Sequence, residues 1–235
     1  LREASRWRSL WDGAFCVSSV LASFIIGVAM GNVAWGVPVA PDFRYRGDLL
    51  AQLHPYAVLT GLTVVALFMM HGAIYLVLKT EGELNARVRG WVRPTIVFFV
   101  VMYGLTTLAT LLYVPRLAAP FREHPWLFVV PVASLLAIAD IPREMHRGRE
   151  MLAFLASGLS MFLLLLLLGI GMFPELIHGN GPSGTSLTAF NAASSPRTLR
   201  TMLILAVIGM PLVVGYTIHI YRVFGGKVEL DSMSY

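Results

Sequence analysis

Six apolar stretches of the chain run free of Asp, Glu, Lys and Arg. They cover residues 13–40, 49–78, 94–115, 124–139, 151–174 and 201–221. Five of them reach the roughly 20 residues that carry an α-helix across ~30 Å of hydrocarbon. The fifth contains an unbroken leucine run from Leu163 to Leu168. The fourth is shorter than the usual span, with Trp126 near one end as an interfacial anchor. The pattern predicts an all-α integral membrane protein with six transmembrane helices, forming a single helical domain over residues 1–235.

Loop charge tests the fourth span and orients the rest. With six spans, one side collects Arg2, Arg6, Arg8, Lys79, Arg87, Arg89, Arg93, Arg143, Arg147, Arg149, Arg222 and Lys227. The other side collects half as many: Arg44, Arg46, Arg116, Arg122, Arg197 and Arg200. Dropping the fourth span would flip everything after it and erase the asymmetry. The positive-inside rule therefore predicts six spans with both ends cytoplasmic.

Composition then adds exclusions. The chain has 235 residues, 57% of them hydrophobic and 13% charged, with a formal net charge of +5. A soluble domain carries about 25% charged residues. The excess charge is explained by topology, so nucleic acid is not expected as a partner. Cys16 is the one cysteine, which leaves no intrachain disulfide and no multi-cysteine metal site. A cleaved signal peptide is disfavoured. Pro38 stands where an A-x-A site ending at Ala40 needs a small residue, and the first apolar run exceeds a 7–15-residue h-region.

Local signals agree with helices. Ser195 before Pro196 reads as a cap and first turn. Pro94 is expected to open the third span and Pro142 to close the fourth, while Gly225–Gly226 should end the sixth. Pro131 and Pro211 lie inside spans and should kink them, at a cost that neighbouring helices can offset. Gly27 and Gly31 form a GxxxG step on span one, continued by Ser19 and Ser23, that lets a second helix approach closely. Thr106, Thr110 and Ser157 are placed to bridge helices. Lys79 and Glu83 would be an i, i+4 pair on a continuous helix.

Candidate chemistry is sparse. His71 and His219 are the intramembrane histidines and lie at similar depth, which makes a bis-His b-type haem site conceivable. The more frequent use of such a residue is a hydrogen bond across a helix interface. Asp12, Glu123, Asp140 and Glu175 sit at span ends and none sits mid-span, which disfavours a pump or carrier. Asp12 and Asp140 are expected to be solvated helix-end charges, with a proton entrance as the alternative use. Matched broken helices, the mark of an inverted-repeat transporter, are not evident. The long segment 174–200, rich in Gly, Ser, Thr and Asn, is either a ligand lid or a connector. No Walker loop, Rossmann fingerprint or HExxH motif occurs.

Several strings nevertheless occur in one order. Span one ends Gly31-Asn32-Val33-Ala34-Trp35-Gly36-Val37-Pro38. Span two opens at His54-Pro55-Tyr56-Ala57 and closes His71-Gly72-Ala73-Ile74-Tyr75-Leu76-Val77-Leu78-Lys79-Thr80-Glu81-Gly82-Glu83-Leu84. Met172-Phe173-Pro174 ends span five, and Ser186-Leu187-Thr188-Ala189-Phe190-Asn191-Ala192-Ala193-Ser194-Ser195 precedes span six. The tail reads Tyr221-Arg222-Val223-Phe224-Gly225-Gly226-Lys227-Val228. Together these resemble subunit II of the cytochrome bd-type quinol oxidases over essentially the whole chain. Members of that family begin with further helices that include DGFD-like and WDGNxVW-like stretches, neither of which occurs here. Residues 1–11 resemble the arginine-rich loop that follows those helices. The chain is therefore expected to correspond to the C-terminal two-thirds of the subunit. The family's candidate proton-route acids lie in the part without a counterpart, so none is carried over.

The resemblance implies a subunit of a quinol:dioxygen oxidoreductase in the prokaryotic inner membrane, reducing dioxygen to water. It implies a larger, haem-bearing subunit I as partner, holding two b haems and one d haem. This chain would bind no cofactor or metal itself and supply no catalytic residue. A small single-helix subunit, membrane lipid and quinone complete the expected partners. The readings that compete are a stand-alone membrane cytochrome using His71 and His219, and a small transporter.

Overall fold

A computed structural model describes residues 2–180, 185–224 and 226, with side chains from Trp7 onward. The side chains of Arg2 and Arg6, and Gly225, Lys227 and Val228 of the tail string, lie outside the described residues. Among the described residues there are seven α-helices: α1 (Arg2–Trp35), α2 (Pro55–Lys79), α3 (Gly82–Tyr113), the short α4 (Ala119–Glu123), α5 (Val129–His146), α6 (Glu150–Met172) and α7 (Pro196–Val223). A 3-10 turn, Pro125–Phe128, runs directly into α5, so the fourth span extends over Pro125–His146. Six helical segments are then long and apolar enough to cross a membrane. Two short strands, β1 (Glu175–Ile177) and β2 (Leu187–Thr188), pair antiparallel in the segment before α7.

The helices reach further than the uncharged stretches. Pro94 does not open the third span: α3 begins at Gly82 and carries Pro94 inside it. Pro94 lacks the N–H that would bond the Gly90 carbonyl. Gly90 is exposed at the charged end of the helix, where water can take that bond. Pro142 does not close the fourth span either, because α5 continues to His146. Arg143 pairs with Asp140 at 3.0 Å and Arg147 with Glu144 at 3.3 Å, and these i, i+3 pairs hold the turn beyond the proline. Pro131 is the third residue of α5, inside the first turn, where no intrahelical donor is lost. Pro211 does lie within α7. Ser195 caps α7 as its position predicts, its Oγ accepting from the Thr198 N–H at 3.4 Å.

Small residues set the helix spacing. A Cβ built on Gly27 would lie 2.7 Å from the Gly61 Cα, and one on Gly31 would lie 2.8 Å from the Ala57 Cα. The GxxxG step of α1 is thus a backbone-to-backbone crossing with α2. Ser19, exposed, and Ser23, half-buried, bond carbonyls of their own helix, Phe15 O and Ser19 O. On its other sides α2 packs against α3 and α6. The main core joins Met70, Ile74 and Val77 of α2 to Phe99 of α3, Ile138 and Ile141 of α5, and Ala153 of α6. A second cluster gathers Ala34, Tyr56, Val114, Leu117 and Met172 at the end where the strands lie. The remaining helix faces carry exposed Leu, Ile, Val and Phe side chains, as a lipid-facing surface requires.

The ends of the bundle differ in chemistry. The hairpin face holds β1, β2 and the segment 36–54. The arginine face holds the α2–α3 turn, the α5–α6 turn and the end of α7. The α2–α3 turn breaks the proposed Lys79–Glu83 pair. Thr80 and Glu81 are extended and Gly82 has φ +61°, a conformation glycine adopts at little cost. Asn85 Nδ2 closes the turn by donating to Val77 O and Thr80 O. Lys79 Nζ donates instead to Phe224 O and Gly226 O at the end of α7, at 2.9 and 3.1 Å. Glu83 pairs with Arg87. Helix α7 buries no residue.

Candidate functional site

The polar side chains of the sequence strings converge on the hairpin face. Asn32, buried on α1, donates from Nδ2 to Val28 O and to Gln52 O, joining α1 to the turn before α2. Trp35 packs on the rings of His54 and Tyr56, with centroids 4.9 and 5.5 Å away. His54 caps α2, its Nδ1 accepting from the Ala57 N–H at 3.4 Å. Gly36 has φ +99°, and a Cβ there would meet His178 Cδ2 at 2.8 Å. The chain turns at Gly36 so that Val37 N–H reaches His178 O, while Asn180 Nδ2 donates to Gly36 O. Span one is thereby stitched to the segment before α7.

An ionic cluster lies beneath that seam. Arg116 follows α3, donates to Ala34 O and lies 3.4 Å from Glu175 Oε2. His178 Nδ1 is 2.7 Å from the same oxygen. A carboxylate only accepts, so His178 is the donor. Burial presses the Arg116 guanidinium below its usual range, opposed by the Glu175 charge. Burial alone would push the Glu175 carboxyl up. Hydrogen bonds from Ser186 and His178 and the charges of His178 and Arg116 outweigh it, and hold the carboxyl below its usual value. Ser186 also accepts from Gly179 N–H, and Asn191 locks the following turn by accepting from Thr188 N–H and donating to Ser186 O. The cluster holds three loops to one another. Neither Arg116 nor the Glu175–His178 pair stands out in the sequence, where both read as span-end charges.

Within the spans the hydroxyl groups bridge helices as their positions predict. Thr63 and Thr106 approach at 2.6 Å, and Tyr56 bonds Thr110 at 2.9 Å, both between α2 and α3. His71 Nδ1 lies 2.8 Å from Ser157 Oγ on α6, and its ring stacks on Phe154. Ser157 donates its own proton to Phe154 O at 2.7 Å, so its oxygen receives the His71 Nδ1 proton. His219 is exposed on α7 and shares none of these contacts. The structure therefore does not assemble the two histidines into an axial pair. Among the described residues, no three His, Cys, Asp or Glu side chains cluster as a metal site would require.

The comparisons with known proteins fit this architecture. A family profile described as cytochrome bd terminal oxidase subunit II matches residues 1–224. The chain belongs to the cytochrome bd terminal oxidase subunit II family. Similar relatives include the cytochrome bd-I ubiquinol oxidase subunit 2 of Escherichia coli (strain K12), 29% identical over 98% of this chain and 69% of that protein. The cytochrome bd ubiquinol oxidase subunit 2 of Bacillus subtilis (strain 168) is 26% identical over 98% of this chain and 68% of its own length. The fold also matches a chain of the bd oxidase from Geobacillus thermodenitrificans, with TM-score 0.76 and 15% identity, covering 94% of this chain and 66% of that one. The chain thus spans about two thirds of the length of the relatives it matches. As a bd oxidase subunit II with six spans, it is a multi-pass inner-membrane protein.

Proposed function

We propose that this chain is the non-haem-ligating structural subunit of a bd-type terminal oxidase. The complex oxidises quinol and reduces dioxygen to water, with two b haems and one d haem carried by a larger subunit I. The match of residues 1–224 to the subunit II family carries the reading. The use of the polar residues in the sequence strings supports it. Asn32, His71 and Lys79 spend hydrogen bonds on joining segments of the bundle, while His54 caps α2 and Asn191 locks the turn before α7. The loop-charge asymmetry supports both ends on the cytoplasmic side and the hairpin face outside. The anchoring of α7's end by the α2 C-terminus, through Lys79, agrees with those ends sharing a side.

In this role the chain offers shape. Exposed apolar faces, α7 above all, present surface for helix packing and lipid, and quinone meets the complex at subunit I. A small single-helix subunit would pack on the same kind of surface. Affinity purification of the tagged chain in mild detergent should bring down a larger chain together with quinol-dependent oxygen consumption. Recovery of an active, unaccompanied chain would overturn the proposal.

A further inference from the structure

On the arginine face, three guanidiniums gather around one carboxylate. Glu144, at the end of α5, is buried, with 3% of its surface exposed. Arg147 Nη1 and Arg143 Nε lie 3.3 and 3.8 Å from its Oε1, and Arg149 Nη1 lies 3.6 Å from its Oε2. The backbone fixes this arrangement. Gly148 has φ +70°, and the chain folds back so that Arg149 N–H donates to Glu144 O at 3.0 Å. One cation suffices to neutralise a buried carboxylate. Arg143 also bonds the half-exposed Asp140. That still leaves three cations facing two acids. The side chains of Arg143, Arg147 and Arg149 remain 60%, 45% and 59% exposed. Each guanidinium carries five N–H donors, and two carboxylates engage only a minority of the fifteen. The adjacent Arg89–Glu150 ion pair is self-neutralising and closes one side of the cluster.

The surroundings are apolar and exposed. Met151, Leu152 and Leu155 of α6, and Leu135 and Leu136 further along α5, are each 45% to 66% exposed. Trp91 of α3, 55% exposed, marks the membrane interface at this end. Fixed, donor-rich cations at the edge of a lipid-facing surface match a phosphodiester headgroup whose acyl chains run down that surface.

The geometry points to an anionic phospholipid site in which Arg143, Arg147 and Arg149, held by Glu144, bind the headgroup phosphate and the exposed α5–α6 face takes the acyl chains. Glu144 is the positioning residue and the arginines are the binding residues. The inference rests on the membrane spans and not on the proposed oxidase role.

The test uses the purified protein with its natural partners in mild detergent, delipidated and titrated with phosphatidylglycerol, cardiolipin or phosphatidylcholine, with bound lipid read by native mass spectrometry. Anionic lipid should bind in preference to phosphatidylcholine. Each Arg→Gln change should weaken it about fivefold, and all three on the order of 100-fold. Because the triple variant would strand the Glu144 charge, Arg143→Gln, Arg147→Gln, Arg149→Gln and Glu144→Gln are combined. That variant keeps the fold while losing the lipid. Glu144→Gln alone should weaken binding, because the three arginines lose the carboxylate that holds them together. Arg44→Gln with Arg46→Gln, on the opposite face, should change it less than about twofold, since surface charges beyond a Debye length are screened. Unchanged lipid affinity in the combined variant would overturn the proposal. So would an equal loss in the Arg44/Arg46 control, or displacement of lipid by inorganic phosphate at equal concentration, which would mark a soluble-anion site.

Discussion

At the scale of single residues, the bundle is decided by positions where nothing larger than hydrogen fits and by polar groups that must be paired. Gly27 and Gly31 meet backbone atoms of α2, which cannot yield as a side-chain tip can. Gly31→Leu should therefore lower thermal stability by at least the 1–3 kcal/mol typical of overpacking. Gly104→Ala, with open space around its Cα, should stay within about 0.5 kcal/mol. A thermal-shift measurement in one detergent compares the two. Glu175 gives a pH prediction. Its folded-state value lies below the ordinary 4.5, so the clamp's contribution is complete above the ordinary carboxylate range and is lost as pH falls through the lower, folded value. Hydrogen exchange in residues 175–180 and 185–188 should rise across that acid window. Glu175→Gln should give raised exchange already at neutral pH and no acid step; an unchanged profile would show that the carboxylate does not hold the hairpin. The pair is not legible in the sequence because Arg116 and Glu175 are far apart in the chain. Only the return of the segment after α6 to the end of α3 brings them together. His71 was visible as a lone intramembrane histidine, but its partner Ser157 belongs to a different helix hairpin.

At the scale of elements, hydrocarbon length makes five of the six spans legible in the sequence, and the loop charges alone defend the fourth. Their ends were less legible. Absence of charge marks the part of a helix inside the hydrocarbon, whereas the helix itself continues as long as its hydrogen bonds are satisfied. That is why α3 starts at Gly82 and α5 runs to His146. The Lys79–Glu83 expectation failed for a related reason: Gly82 ends one helix and begins another. Lys79 instead ties α7 to α2, and among the described side chains it makes the hydrogen bonds that reach the end of α7. Lys79→Met should raise hydrogen exchange in the last turn of α7 several-fold and leave α1–α2 packing unchanged. Removal of the cap at the other end, Ser195→Ala, should cost about 1 kcal/mol of α7 stability. An effect of Lys79→Met spread evenly over the bundle would contradict this local role.

At the scale of the whole molecule, the chain reads as a scaffold. Thr63 with Thr106 and His71 with Ser157 bond across helices in its interior, and its outward faces are apolar. Interhelical hydrogen bonds of this kind contribute about 0.6 kcal/mol each, so no single one accounts for the bundle. Close packing around α2 and the stitched hairpin face act together. The central claim is that redox chemistry belongs to the partner and that His71 is a packing residue. The direct measurement is the reduced-minus-oxidised absorption spectrum of the purified complex and of this chain separated from its larger partner. The account predicts b- and d-type bands that follow the larger chain, a colourless subunit II, and an unchanged haem content in the complex carrying His71→Ala. A b-type band retained by the isolated chain and abolished by His71→Ala would contradict it.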